Sequence, residues 1–254
     1  MSRFEELVAE GEAAPVEGWD FSWFDGRASE ERAPWGYAGL VSRRIPTADA
    51  VLDVQTGGGE VFAGALAAAR GHRPGTVRAT ESWPPNVALA RDRLRPFGGE
   101  VAEVADDADL PYGDAVFDLV VSRHPTVVVW PEVGRVLGSG GTYLSQQVGP
   151  GSVRELTDFM MGSQPVNDAR SPARARAHAE AVGLEVVDLR EKRLRMEFRD
   201  VGAVVHFLRK VVWIVPGFTV GSYARQLAAL HERIVERGPF VAHSQRYLVE
   251  ARKR

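Results

Sequence analysis

The chain of 254 residues contains no cysteine, which excludes disulfide scaffolding and thiolate metal sites, and no metal site is expected from its histidines, which show no His-x-x-x-His spacing. No apolar run approaches the ~20 residues that span a bilayer. There is no excess of positive charge either: 31 Lys and Arg face 34 Asp and Glu, for a net charge of −3, so a polyanion meets no overall attraction and nucleic acid is not the expected partner. The phosphate loop G-x-x-x-x-G-K-[ST] and the nucleophile elbow G-x-S-x-G are both missing. Arg3, Glu5, Glu6 and Glu10 interrupt the stretch that a secretion signal would keep apolar, so the expected location is the cytoplasm.

What is present suits an α/β protein. Hydrophobic residues make up 44% of the chain, enough for a substantial core, and charged residues an ordinary 26%. From residue 50 strands and helices alternate: strand 50–54, helix 60–70, strand 76–81, helix 86–95, strand 100–105, strand 116–122, helix 130–137 and strand 141–148. That alternation implies a parallel sheet with right-handed crossovers. Helices at 152–161 and 172–182, strands at 184–189 and 193–199, helices at 200–213 and 223–237 and a strand at 243–250 follow. Residues 1–45, with Trp19, Trp23, Trp35 and Tyr37 after a short acidic helix, read as a separate helical and aromatic lid segment. Residues 46–254 read as the main domain, with substrate-side helices within 152–240.

The richest stretch is Val51-Leu52-Asp53-Val54-Gln55-Thr56-Gly57-Gly58-Gly59-Glu60. A buried strand ends in an acid and runs through a glycine turn into an alanine-rich helix. Glycines let a ligand approach the backbone, and the helix start offers unpaired N–H groups. A dinucleotide turn G-x-G-x-x-G would need a third glycine where Phe62 stands. With Asp53 before the turn and Gly57 and Gly59 at alternate positions, the stretch resembles instead the first motif of the class I S-adenosylmethionine-dependent methyltransferases, acid-x-G-x-G-x-G. Gln55 takes the place of the family's first glycine. If that position needs a positive φ, the substitution costs roughly 1–2 kcal/mol.

Three further stretches follow the family's order, so the resemblance covers residues 45–150 well. The second strand ends Ala79-Thr80-Glu81, and the resemblance implies that Glu81 accepts from the ribose hydroxyls, with Ser82 and Trp83 beside the adenosine. Asp106, followed by Asp107, matches the acid that receives the adenine amino group. The strand Val116–Ser122 delivers Ser122, Arg123 and His124 to the place where the donor methyl belongs. The implied cofactor set is Asp53, Gln55, Thr56, Gly57, Gly59, Glu81, Ser82, Trp83, Asp106, Asp107, Ser122 and Arg123. His124 is the candidate general base, since histidine titrates near neutrality; the other reading is that it only lines the pocket.

The resemblance implies a Rossmann-like open, mostly parallel seven-stranded sheet with helices on both faces and an antiparallel last strand. It also implies S-adenosylmethionine as cofactor and in-line methyl transfer. Trp19, Trp23, Trp35, Tyr37 and Phe207 suggest a small, apolar or aromatic methyl acceptor. An RNA base methyltransferase is the main alternative, on the strength of Arg170, Arg174, Arg176, Arg190, Lys192, Arg193, Arg195 and Arg199. A non-catalytic S-adenosylmethionine-binding protein is the third reading, motivated by Gln55. The acceptor atom and the oligomeric state stay open.

Overall fold

In the first half of the chain the elements are α1 (Arg3–Ala13), β1 (Ala28–Glu30), α2 (Tyr37–Arg44), β2 (Ala50–Asp53), α3 (Glu60–Ala68), β3 (Thr76–Glu81), α4 (Pro84–Leu94), β4 (Glu100–Glu103) and β5 (Phe117–Arg123). In the second half they are α5 (Trp130–Val136), β6 (Leu137–Val148), α6 (Arg154–Met161), α7 (Pro172–Ala181), β7 (Leu184–Phe198), α8 (Val201–Lys210), α9 (Ala224–Arg237) and β8 (Phe240–Lys253). This is a computed structural model, and it describes residues 2–18 and 21–254. Hydrogen-bonded strands follow the order β1-β7-β8-β6-β5-β2-β3-β4. The chain divides into two compact units. One comprises Met1–Arg32, Pro150–Asn167 and Arg193–Gln245; the other comprises Ala33–Gly149, Asp168–Lys192 and Arg246–Arg254.

In the second unit β2 pairs in parallel with β3 on one side and β5 on the other. β4 extends the sheet beyond β3, and β6 extends it beyond β5, both in parallel. β8 closes the series antiparallel to β6. The strand β2 is buried along its whole length and apolar up to its last residue, Asp53, as a central parallel strand must be when helices cover both faces. One face is packed by Val41, Ile45, Phe62, Val87 and Leu94, the other by Trp130, Val133, Val136 and Ala179. The chain runs outward from β2 through β3 to β4, then returns to start β5 on the opposite side. This reversal leaves a crevice at the carboxyl ends of β2 and β5, where open α/β sheets take their ligands.

The first unit is built from three distant segments around one cluster that includes Leu7, Phe24, Leu156, Phe198, Val204 and Leu227. Gly11 of α1 and Gly202 of α8 let these helices touch: a Cβ on Gly11 would collide with the Gly202 carbonyl. Arg27 ties the same region to Asp200 at 2.9 Å.

Three differences from the sequence reading have physical causes. The strands expected at 184–189 and 193–199 are one strand, β7, because no glycine or proline interrupts residues 184–198. The short strand β1 pairs antiparallel with its end, Ala28 opposite Phe198, so the sheet has eight strands rather than seven. The segment expected at 1–45 divides at Arg32, because Trp35 and Tyr37 belong to a core of the second unit. Likewise 150–167 and 193–245 group with the first 32 residues rather than with the rest of 46–254.

Candidate functional site

At the end of β2 the backbone turns sharply and is pinned to its neighbours. The Val54 N–H donates to the Val121 carbonyl at 2.9 Å, and the Thr56 N–H donates to the Thr80 carbonyl at 2.9 Å. Gly57 and Gly59 have φ of 63° and 81°, conformations that glycine adopts without steric cost. Gly59 also lets α3 approach α4, since a Cβ there would sit 3.2 Å from the Ala90 Cα. Gln55 has φ of 57°, so the expected left-handed strain at this position is present.

The acids at the three strand ends occupy different surroundings. Asp53 is buried and accepts from the Thr56 hydroxyl at 2.6 Å. Burial first, and then the charge of nearby Glu81, raise its carboxyl to about 7. Glu81 is also buried, and its carboxylate accepts from the N–H of Gly57 at 2.7 Å and of Trp83 at 3.1 Å. Desolvation raises its pKa while those backbone donors oppose the rise. Asp106, half-buried after β4, accepts from the Thr126 hydroxyl, and Asp107 beside it is exposed.

Gln55 reaches across this crevice. Its amide oxygen accepts from the Thr126 N–H at 2.6 Å, and its amide nitrogen donates to the Val127 carbonyl at 2.7 Å and the Asp106 carbonyl at 3.4 Å. The loops after β4 and β5 are thereby joined. Beneath them lies a cavity of about 20 Å³ lined by Gln55, Thr80, Asp106, Ser122, Val127 and Tyr143 among others.

His124 follows β5 in a left-handed conformation, φ 57°. Its N–H donates to the Gln146 carbonyl at 2.7 Å. The Trp35 indole N–H, which can only donate, gives its proton to the Gln146 side-chain oxygen at 2.6 Å. The Gln146 amide nitrogen is therefore turned toward His124 Nε2, 2.8 Å away. Nε2 must accept, which leaves the ring proton on Nδ1. Burial, followed by the guanidiniums of Arg123, Arg246 and Arg170, holds the imidazole well below its ordinary pKa. A neutral ring whose one lone pair is already engaged is poorly placed to take a proton from an acceptor.

A glycine turn after the central strand, an acid at each of three neighbouring strand ends and a polar loop after β5 are now in place. Residues 52–145 match the model of a methyltransferase domain. The match covers less than half of the chain. The chain shares the Rossmann-like fold of three solved structures. A putative methyltransferase from Bacillus halodurans is 15% identical with a TM-score of 0.54, over 100% of this chain and 99% of that one. The YcgJ protein of Bacillus subtilis is 18% identical with a TM-score of 0.59, over 86% and 98%. A phosphoethanolamine N-methyltransferase of Haemonchus contortus, in complex with S-adenosylhomocysteine, is 14% identical with a TM-score of 0.51, over 86% and 52%. A comparison with curated proteins found no match.

In the second unit, Ser122 is spent on its own sheet, within 3.0 Å of the Tyr143 hydroxyl and 2.9 Å of the Ser145 hydroxyl. Arg123 and Trp83 are exposed. Trp35 and Tyr37 are buried, and Tyr37 donates to the Leu144 carbonyl at 3.4 Å. They serve the core and, through Gln146, His124. In the first unit Phe207 is buried against Phe198. Trp23 is half-buried, with its ring 4.7 Å from His206 and the Arg27 guanidinium 4.2 Å above it. Trp19 lies outside the described residues. Gln146 and Thr126 were not singled out in the sequence, and Arg170 entered there only among the arginines of the RNA reading. Arg170 donates to the carbonyls of Pro125 at 2.6 Å and Thr126 at 2.8 Å. Only the neighbouring motif in the chain could have drawn notice to Thr126; nothing local marks Gln146.

Proposed function

We propose that the protein is an S-adenosylmethionine-dependent methyltransferase acting on a small, apolar or aromatic molecule. The observation that carries this reading is the set of carboxylates, Asp53, Glu81 and Asp106, at the ends of three adjacent parallel strands beside the Gly57–Gly59 turn. A carboxylate has only acceptors to offer, which suits ribose hydroxyls for Glu81 and an adenine amino group for Asp106. Both carboxylates now hold internal donors, and each retains lone pairs for a ligand. Thr56 and the N–H groups that start α3 would hold the cofactor's polar end. When bound, S-adenosylmethionine supplies an electrophilic methyl group on a sulfonium. The chain's part is to align an acceptor with that carbon and exclude water, which can supply several kcal/mol. His124, neutral and engaged by Gln146, orients the loop rather than moving a proton.

Support for a small acceptor over RNA comes from the arginines. Arg190 pairs with Asp188, Arg193 with Glu155, Arg195 and Arg199 with Glu197, Arg174 with Asp168 and Arg176 with Glu180. Such self-neutralised charge leaves little for a phosphate backbone. The non-catalytic reading draws its support from Gln55.

The test combines calorimetry with S-adenosylmethionine and S-adenosylhomocysteine with uptake of labelled methyl into small-molecule extracts or total RNA. We expect binding, a raised melting temperature and label in the small-molecule fraction. Label in RNA alone would remove the acceptor class, and binding with no uptake anywhere would remove catalysis.

A further inference from the structure

The turn after β2 carries a side chain where backbone geometry favours none. Gln55 is held at φ 57°, and its amide makes hydrogen bonds to Thr126, Val127 and Asp106 at once. We propose that Gln55 is a specificity-determining residue: with Thr126 and Asp106 it forms a strap that closes the cofactor crevice and sets which nucleoside ligands open it, and how readily. The proposal rests on the S-adenosylmethionine reading above.

The position of the bonds is decisive. The Gln55 amide bonds the Asp106 carbonyl and the Thr126 hydroxyl bonds its carboxylate, so both side chains stand at the approach to that acid. A ligand that reaches Asp106 must therefore displace something. The loop after β5 is firmly tied elsewhere. His124 is bonded to Gln146 through both backbone and ring, and Arg170 holds the carbonyls of Pro125 and Thr126. The Gln55 side chain has no other tie, so the strap opens by its rotation. Opening forfeits its amide bonds, the one to the Asp106 carbonyl included, and clears the way to the Asp106 carboxylate, which keeps its bond from the Thr126 hydroxyl and has lone pairs left for an adenine amino group. Apparent affinity is then the intrinsic affinity reduced by the fraction of molecules that are open. Only a ligand that repays those bonds at Asp106 gains entry, which is where discrimination between bases arises.

Two variants separate the strap from the backbone strain. Gln55→Ala removes the amide but leaves a side chain at positive φ; Gln55→Gly removes both. Calorimetry and stopped-flow with S-adenosylhomocysteine on the full chain should show about 10- to 100-fold tighter binding in both variants, with faster association. Hydrogen exchange at the Thr126 amide should accelerate in both, and Thr126→Val should tighten binding in the same direction. Tightening in Gln55→Gly alone would assign the effect to strain and overturn the strap. Weaker or unchanged binding in Gln55→Ala would overturn it too, while leaving the cofactor reading intact. Absence of binding in the wild type and every variant would remove the cofactor reading, and the strap with it.

Discussion

Two histidines, one in each unit, show how differently the units handle buried polarity. His124, in the second unit, has its ring acceptor satisfied by Gln146, which is itself oriented by Trp35. His206, in the first unit, is fully buried between the rings of Trp23 and Phe24, and its Nδ1 has no hydrogen-bond partner. Burial, with the charges of Lys210, Arg209 and Arg27, lowers it from the ordinary 6.5 to about 4. Around the strand ends almost every polar group is paired, as a preorganised site requires. The aromatic cluster of the first unit instead keeps its histidine neutral by excluding water. The comparison teaches that a depressed histidine pKa does not by itself mark a site; the partners do.

The largest expected effect tests that contrast through pH. His206 folds with a depressed pKa, so the unfolded chain binds the extra proton between pH 6.5 and 4 and stability falls as pH drops through that window, by about 3 kcal/mol. Asp53 acts in the opposite sense. Its pKa is raised from 3.8 to about 7, so its contribution is full at low pH and is lost as pH rises through that range. Denaturant unfolding from pH 4 to 7 should therefore show a shallower slope in the wild type than in either variant. His206→Phe should lose stability as pH rises relative to wild type, and Asp53→Asn should gain it. Parallel curves for wild type and His206→Phe would show that the first unit pays nothing for its buried imidazole.

A smaller effect is expected at Glu81, where binding and architecture overlap. Glu81→Gln keeps an acceptor for Gly57 but removes the charge, so S-adenosylmethionine affinity should fall by about 1–3 kcal/mol with the fold intact. Equal affinity in calorimetry would mean that Glu81 serves only the turn. The smallest effect concerns His124. If the ring merely orients its loop, His124→Ala should lower turnover less than about tenfold and leave the pH profile unchanged, while Trp35→Phe, which frees the Gln146 amide, should produce a similar loss. A loss of 10²-fold or more with one ionisation missing would restore His124 as a general base.

How much of this was legible follows from where the information lies along the chain. The alternation of strands and helices from residue 50 to 148 is written in local periodicity and turn residues, which act over a few neighbours. The acids could be located in the chain because Asp53 and Glu81 end their own strands and Asp106 lies three residues past β4. The continuous β7 was hidden because Glu191, Lys192 and Arg193 are exposed and interrupt the apolar alternation without ending the strand. Trp35 and Tyr37 looked like lid residues because burial is a property of the packed molecule.

By itself the sequence determined the parallel sheet, its crossover helices and the position of the crevice, since handedness and strand order constrain where the carboxyl ends meet. Tertiary structure decided what those ends can do. The Gln55 amide meets a carbonyl 72 positions away, and the Trp35 indole meets Gln146 across 111 positions. Such pairs are brought together only by packing of the whole sheet, and a side chain's hydrogen-bond partners cannot be read from a chain whose neighbours in space are distant in sequence.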